Sequence, residues 1–188
     1  MNQAELLRYL VDVLEALGIE YMISGSQASI YYGEPRFTQD IDVVADLRAS
    51  HVPALVERFP PTEFYVSEDA AREAIETRGQ FNVIHPDSGL KIDIVVKKAT
   101  PHAEVEFERR QRQPIVPGRD AYFARPEDVI LSKLLYVRQG ASDRHLRDIA
   151  GMLRVSGPEI DIRYVDDWAQ RLDVADVWDR VRQRADGE

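Results

Sequence analysis

Two runs alternate carboxylate and apolar residues so regularly that they leave little choice of backbone: Gln39-Asp-Ile-Asp-Val-Val44 and Lys91-Ile-Asp-Ile-Val-Val96. In an extended strand residues two apart share a face, so Asp40 and Asp42 project together while Ile41 and Val43 turn toward a core. Asp93 stands in the second run, and the three carboxylates converge if the two strands are neighbours. Taken singly, each aspartate is as readily a strand end or a helix cap. Together they suit Mg²⁺ (or Mn²⁺), which takes one or two carboxylates and completes its octahedron with waters and phosphate oxygens. Two such ions about 4 Å apart can activate a hydroxyl and hold a leaving pyrophosphate.

The rest of the chain reads as alternating helices and strands, then helices alone. Leu6, Leu7, Leu10, Val13, Leu14 and Leu17 recur at helical spacing and predict a helix over 3–17, closed near Gly18. Tyr21–Ser24 reads as a short buried strand, broken at Gly25-Ser26, and Gln27–Tyr32 as a short helix closed by Gly33. Ile41–Ala45 is the second strand, and Ser50 opens a helix to about Phe59. A strand at Phe64–Val66 and a helix capped at Ser67 and running to about Arg78 follow. Phe81–His85 and Leu90–Val96, joined by Pro86-Asp-Ser-Gly89, form a hairpin, which makes the sheet mixed. The charged run Glu104–Gln113 is expected to be an exposed helix, with short strands at Ile115-Val116 and Ala121–Phe123. Pro126, followed by Glu127 and Asp128, opens a helix to about Arg138. Ser142-Asp143 opens another to about Val155, and Ile162–Leu172 and Val174–Arg182 complete the set. The expected fold class is α+β: a mixed sheet flanked by helices over 1–124, and a helical C-terminal part over 125–188 packed on that core.

Composition narrows the function. No cysteine is present among 188 residues, so thiolate chemistry and disulfides are excluded. No charged-then-apolar leader and no apolar run long enough for a bilayer occurs, so a soluble, cytoplasmic protein with no membrane partner is expected. The formal net charge of -9 argues against broad, non-specific nucleic-acid binding. The charge is uneven, however: from Lys97 to Arg147 eleven Lys or Arg face seven Asp or Glu, a stretch able to meet a triphosphate or an RNA end, or simply a solvated face of mixed charge.

Around the carboxylates stand residues suited to phosphate. Gly25 permits close backbone approach at a strand-to-helix turn, the following helix offers free N–H groups, and Ser26 adds a hydroxyl. Arg36, just before the carboxylate strand, can bind phosphate or pair with a carboxylate. Lys133 interrupts the apolar helix Val129-Ile-Leu-Ser-Lys-Leu-Leu135 and either points one charge into a cleft or snorkels. Arg147-Asp148 can be a plain helix-surface ion pair. His51, His85, His102 and His145 share no metal-like spacing, His85 beside Pro86 reads as structural, and Tyr31-Tyr32 reads more readily as core than as a base-stacking platform.

Gly25-Ser26, Asp40-Ile-Asp42 and Asp93 resemble the signature of the DNA polymerase β-type nucleotidyltransferase superfamily. Tyr31–Asp42, Arg78–His85, Leu90–Asp93, Ser132–Leu134 and Ser142–Asp148 together resemble a small bacterial family of nucleotidyltransferase-like proteins, and more distantly the toxin subunits of AbiE-type toxin–antitoxin systems. The resemblance spans nearly the whole chain. It implies Mg²⁺ (or Mn²⁺) on Asp40 and Asp42, Asp93 as third ligand or base, and Gly25 with Ser26 on a nucleoside triphosphate. The AbiE likeness adds Lys133, Arg147 and Asp148 near the site. The gap between Ser26 and Asp40 is longer than usual, which bears on the orientation of the Ser26 turn. The activity implied is transfer of a nucleoside monophosphate to a hydroxyl of RNA, protein or a small molecule, with an antitoxin as a further partner. Two rivals remain at this stage: a non-catalytic interaction protein of the same fold, and a plain metal-dependent hydrolase.

Overall fold

The computed structural model describes residues 1–140 and 143–185. In chain order it runs α1 (Gln3–Ala16), β1 (Tyr21–Ile23), α2 (Gly25–Tyr32), β2 (Asp40–Ala45), α3 (Val52–Glu57), β3 (Tyr65–Val66) and α4 (Glu68–Thr77). Then come β4 (Gln80–His85), β5 (Leu90–Val96), α5 (Pro101–Glu108), β6 (Gln111–Val116) and β7 (Arg119–Phe123). The remainder is helical: α6 (Pro126–Arg138), α7 (Arg144–Ser156), α8 (Ile162–Arg171) and α9 (Ala175–Ala185). These elements cluster as two compact units, residues 1–24 with 38–123, and residues 25–37 with the chain from 124 onward.

The first unit holds all seven strands, in the order β3-β4-β5-β2-β1-β7-β6. β2 and β5 pair in parallel, as do β1 and β7, while the remaining neighbours are antiparallel. This is the mixed sheet expected, and the hairpin across Pro86–Gly89 is its β4–β5 pair. The alternation in β2 and β5 does what the sequence pattern demands. Ile41, Val43, Ala45, Ile92, Ile94 and Val96 are buried, and the polar residues between them face the other side, half-buried. α1 buries its leucine stripe of Leu6, Leu7, Leu10 and Leu14. Its start is fixed by a reciprocal capping box: Asn2 accepts the Glu5 N–H at 2.9 Å and the Glu5 carboxylate accepts the Asn2 N–H at 2.8 Å, an arrangement worth about 1 kcal/mol.

One element departs from expectation. The run 104–113 is not a single exposed helix. Thr100 caps α5 by accepting the Ala103 N–H at 3.2 Å, and Pro101 takes the first turn, so the helix starts and ends earlier. Gln111–Val116 then pairs antiparallel with β7 as an edge strand. Its polar residues carry no apolar alternation, which is why the pattern read as helix. α5 is not fully exposed either: Glu106 and Phe107 are buried, and the Lys97 ammonium lies 4.9 Å from the Phe107 ring centroid.

The second unit is helical. α6 buries Val129, Ile130, Leu131 and Leu134, α7 buries Ile149 and Met152, and α8 and α9 add Val165, Ala169, Val177 and Trp178. Ser142, expected to open α7, lies outside the described residues; Asp143 stands just before the helix. The loop after α2 lies close against α7 because Gly33 has no side chain. A Cβ there would fall 2.7 Å from the Ser29 carbonyl oxygen and 3.0 Å from the Met152 nitrogen. Ser156 Oγ donates to the Tyr32 carbonyl at 2.6 Å and Tyr32 Oη to that of Ala124 at 3.0 Å, tying α2 to the helices that follow.

Candidate active site

In the sheet unit, register sets the carboxylates on one face of neighbouring strands. Asp42 stands directly beside Asp93 across the parallel β2–β5 pair, and Asp40 beside Lys91. All four are on the face opposite the buried isoleucines and valines, since they alternate with them. Asn82 of β4 is the antiparallel partner of Asp93, and Ser24 donates its N–H to the Asp42 carbonyl at 3.0 Å. A polar row therefore crosses four neighbouring chain segments at one level.

The cation in this row is a side chain. Lys91 Nζ lies 3.0 Å from Asp93 Oδ2 and 3.5 Å from Asp40 Oδ1. The hydrogen bond to Asp93 is the main reason its pKa is raised, against the opposing effect of burial. Lys91 is the functional candidate missed in the sequence, although the signal was there: it sits two residues before Asp93, on the same strand face.

A divalent cation is tested by the donor set. Asp93 Oδ1 is buried and makes no hydrogen bond, an acceptor of the kind that a cation or an O–H donor satisfies. Hard oxygens on adjacent strands match the preference of Mg²⁺. Among the described residues, however, no three Asp, Glu, His or Cys side chains are gathered closely enough to form a ligand group. The residue types fit the metal, then, with the lysine ammonium lying between two of them.

The other predicted residues fall in the helical unit and form a network of their own. Gly25 has φ +53, a left-handed conformation that favours glycine, and Ser26 follows in the first turn of α2. Arg36 Nη2 donates to Ser26 Oγ at 3.0 Å. The same guanidinium grips Asp148 with two bonds, Nε to Oδ1 at 2.8 Å and Nη2 to Oδ2 at 3.0 Å, the fork geometry that makes such pairs strong. Lys133 Nζ reaches Asp148 Oδ2 at 2.7 Å, with both side chains over 90% buried. Burial alone would raise the Asp148 pKa, but the bonds from Arg36 and Lys133 outweigh it and hold the carboxyl below its usual value.

Lys133 thus does not snorkel, Arg36 has a carboxylate partner, and Asp148 is held by these two cations. Beside them a cavity of about 330 Å³ is lined by Arg36, Phe37, Arg144, Arg147 and Asp148, among others, and Phe37 is 83% exposed. Tyr32 is buried as expected, whereas Tyr31 is 41% exposed. His85 is buried and bonded through Nδ1 to Ser88 Oγ at 2.9 Å, a structural role within its turn.

No model of a protein family matches the chain, and no curated protein sequence does. Solved structures do match in fold. ANT(2″)-Ia in complex with adenylyl-2″-tobramycin is 15% identical, with a TM-score of 0.58 over 98% of this chain and 99% of its own. An antigenic nucleotidyltransferase-like protein from Paracoccidioides brasiliensis is 20% identical, with a TM-score of 0.56 over 80% of this chain and 75% of its own. The lincosamide antibiotic adenylyltransferase LnuA, lincomycin-bound, is 14% identical, with a TM-score of 0.55 over 82% and 98%. The fold is that of the nucleotidyltransferases, as the resemblance implied. Among the described residues no helix is long and apolar enough to cross a membrane.

Proposed function

We propose that this chain is a metal-dependent nucleotidyltransferase that moves a nucleoside monophosphate from a nucleoside triphosphate to a hydroxyl of an acceptor: an RNA, a protein or a small molecule. The observation that carries the reading is the pairing of Asp42 with Asp93, with Asp40 on the same face, across adjacent parallel strands of a nucleotidyltransferase fold. Asp40, Asp42 and Asp93 would hold Mg²⁺ or Mn²⁺, which when bound supplies Lewis-acid stabilisation of phosphoryl oxygens and favours the ionised form of a hydroxyl. Asp93 is also suited to take the acceptor's proton, since its Oδ1 is a buried acceptor without a donor. The acceptor oxygen forms a bond to the α-phosphorus, the bond from that phosphorus to the β-phosphate bridge breaks, and pyrophosphate leaves with its electron pair. Gly25, Ser26, Arg36 and Lys133 are assigned to phosphate, where fixed cations and N–H donors stabilise developing charge. The cavity lined by Arg36, Arg144 and Arg147, together with Glu34 and Asp148, supports that assignment.

Incubation with each α-labelled nucleoside triphosphate, Mg²⁺ or Mn²⁺ and a cell lysate tests the reading. Label is expected in one acceptor class with the intact chain and in none with Asp40→Ala/Asp42→Ala; absence of nucleotide binding at millimolar concentration would overturn it. The toxin–antitoxin role implied by the AbiE likeness is the biological extension of the same reading. Its expected signature is growth arrest on induction of the intact chain but not of the double variant.

A further inference from the structure

We infer that Lys91 is an internal counter-ion of the carboxylate face, standing in for a divalent cation and displaced when one binds. The inference rests on the metal reading above and deepens it. Three facts carry it. The ammonium is within 3.5 Å of oxygens from both Asp40 and Asp93, the position a shared cation would contest. Lys91 belongs to the same strand as Asp93 and is paired in register with Asp40, so its backbone is fixed by the ladder and a four-carbon stem with several rotatable bonds carries the ammonium. Its side chain is about one third exposed, which leaves water as a route out. Asp93, by contrast, is only 14% exposed.

Carboxylates clustered without a cation repel one another. The lysine removes that penalty in the metal-free chain and must give up its charge-assisted bonds when metal enters. Lys91 is therefore a positioning residue that sets cation affinity. It keeps the carboxylates ordered and makes a bare cation compete for them.

The test uses the full chain and Mn²⁺ alone, with free Mn²⁺ read by electron paramagnetic resonance. Lys91→Met is expected to bind Mn²⁺ about tenfold more tightly than the parent, the worth of one charge-assisted hydrogen bond. It should also unfold at lower temperature without metal, the difference closing when Mn²⁺ is saturating. Unchanged or weaker Mn²⁺ binding by a folded Lys91→Met chain overturns the inference and leaves the metal reading standing. No Mn²⁺ binding by either chain overturns both. A second measurement on the unaltered protein guards against a misfolded variant: acylation of Lys91, followed by peptide mass spectrometry, should increase on adding Mg²⁺. No increase at a Mg²⁺ concentration that shifts the melting temperature overturns the inference.

Discussion

Asp148 is the residue whose surroundings make the sharpest demand. It is bound by Arg36 and Lys133, so Asp148→Ala leaves a buried ammonium and a half-buried guanidinium without their shared partner. The expected loss is about 3–5 kcal/mol in urea denaturation. Its folded pKa lies below the ordinary 3.8. The stabilisation is thus fully present above that value and is lost only as pH falls through the lower, folded one. His145 gives a window nearer neutrality. Burial first, then the Lys133 charge, pushes its pKa below 6.5, while its ring stacks on Tyr136 at 5.5 Å. Protons then bind the unfolded chain preferentially, and stability should fall as pH drops below about 6.5. His145→Phe, which keeps a ring against Tyr136, should lessen the fall in melting temperature between pH 7 and 5, the remainder coming from His102, whose pKa burial also lowers. At this scale the types of the site residues were legible, but their partners were not. Arg36 is 112 positions from Asp148, and nothing local in the sequence couples them.

Elements were read more reliably than partners, because strand and helix periods are local properties. β2, β5 and the Pro86–Gly89 hairpin followed from alternation and turn chemistry; of β6 only Ile115-Val116 was read as strand, because Gln111–Pro114 carries no apolar alternation of its own and pairs with β7. The approach of the loop after α2 to α7 rests on Gly33. Gly33→Ala should lower stability by about 1–3 kcal/mol, as overpacking against backbone does, and shift the melting temperature downward. Gly157→Ala is the control. A Cβ there meets nothing within 4 Å, so little change is expected.

At the scale of the whole chain, charge decides what the protein avoids. With a net charge of -9, fluorescence anisotropy with duplex DNA at physiological salt should show association no tighter than the weak end of non-specific binding, about 10⁻⁴ M. Composition alone gives that expectation, as it gives the absence of thiol chemistry, because both are sums over residues and need no coordinates. Sequence by itself also determined the alternating strands β2 and β5, the faces they bury and the three aspartates, since a two-residue period is written into neighbouring positions. Only the tertiary structure decided that β2 lies beside β5 with Asp42 level with Asp93, that Lys91 bridges Asp40 and Asp93, and that Arg36 and Lys133 share Asp148. Apart from Lys91 with Asp93, those pairings join residues distant in the chain, and register and burial, which select them, exist only once the sheet and the helices have formed.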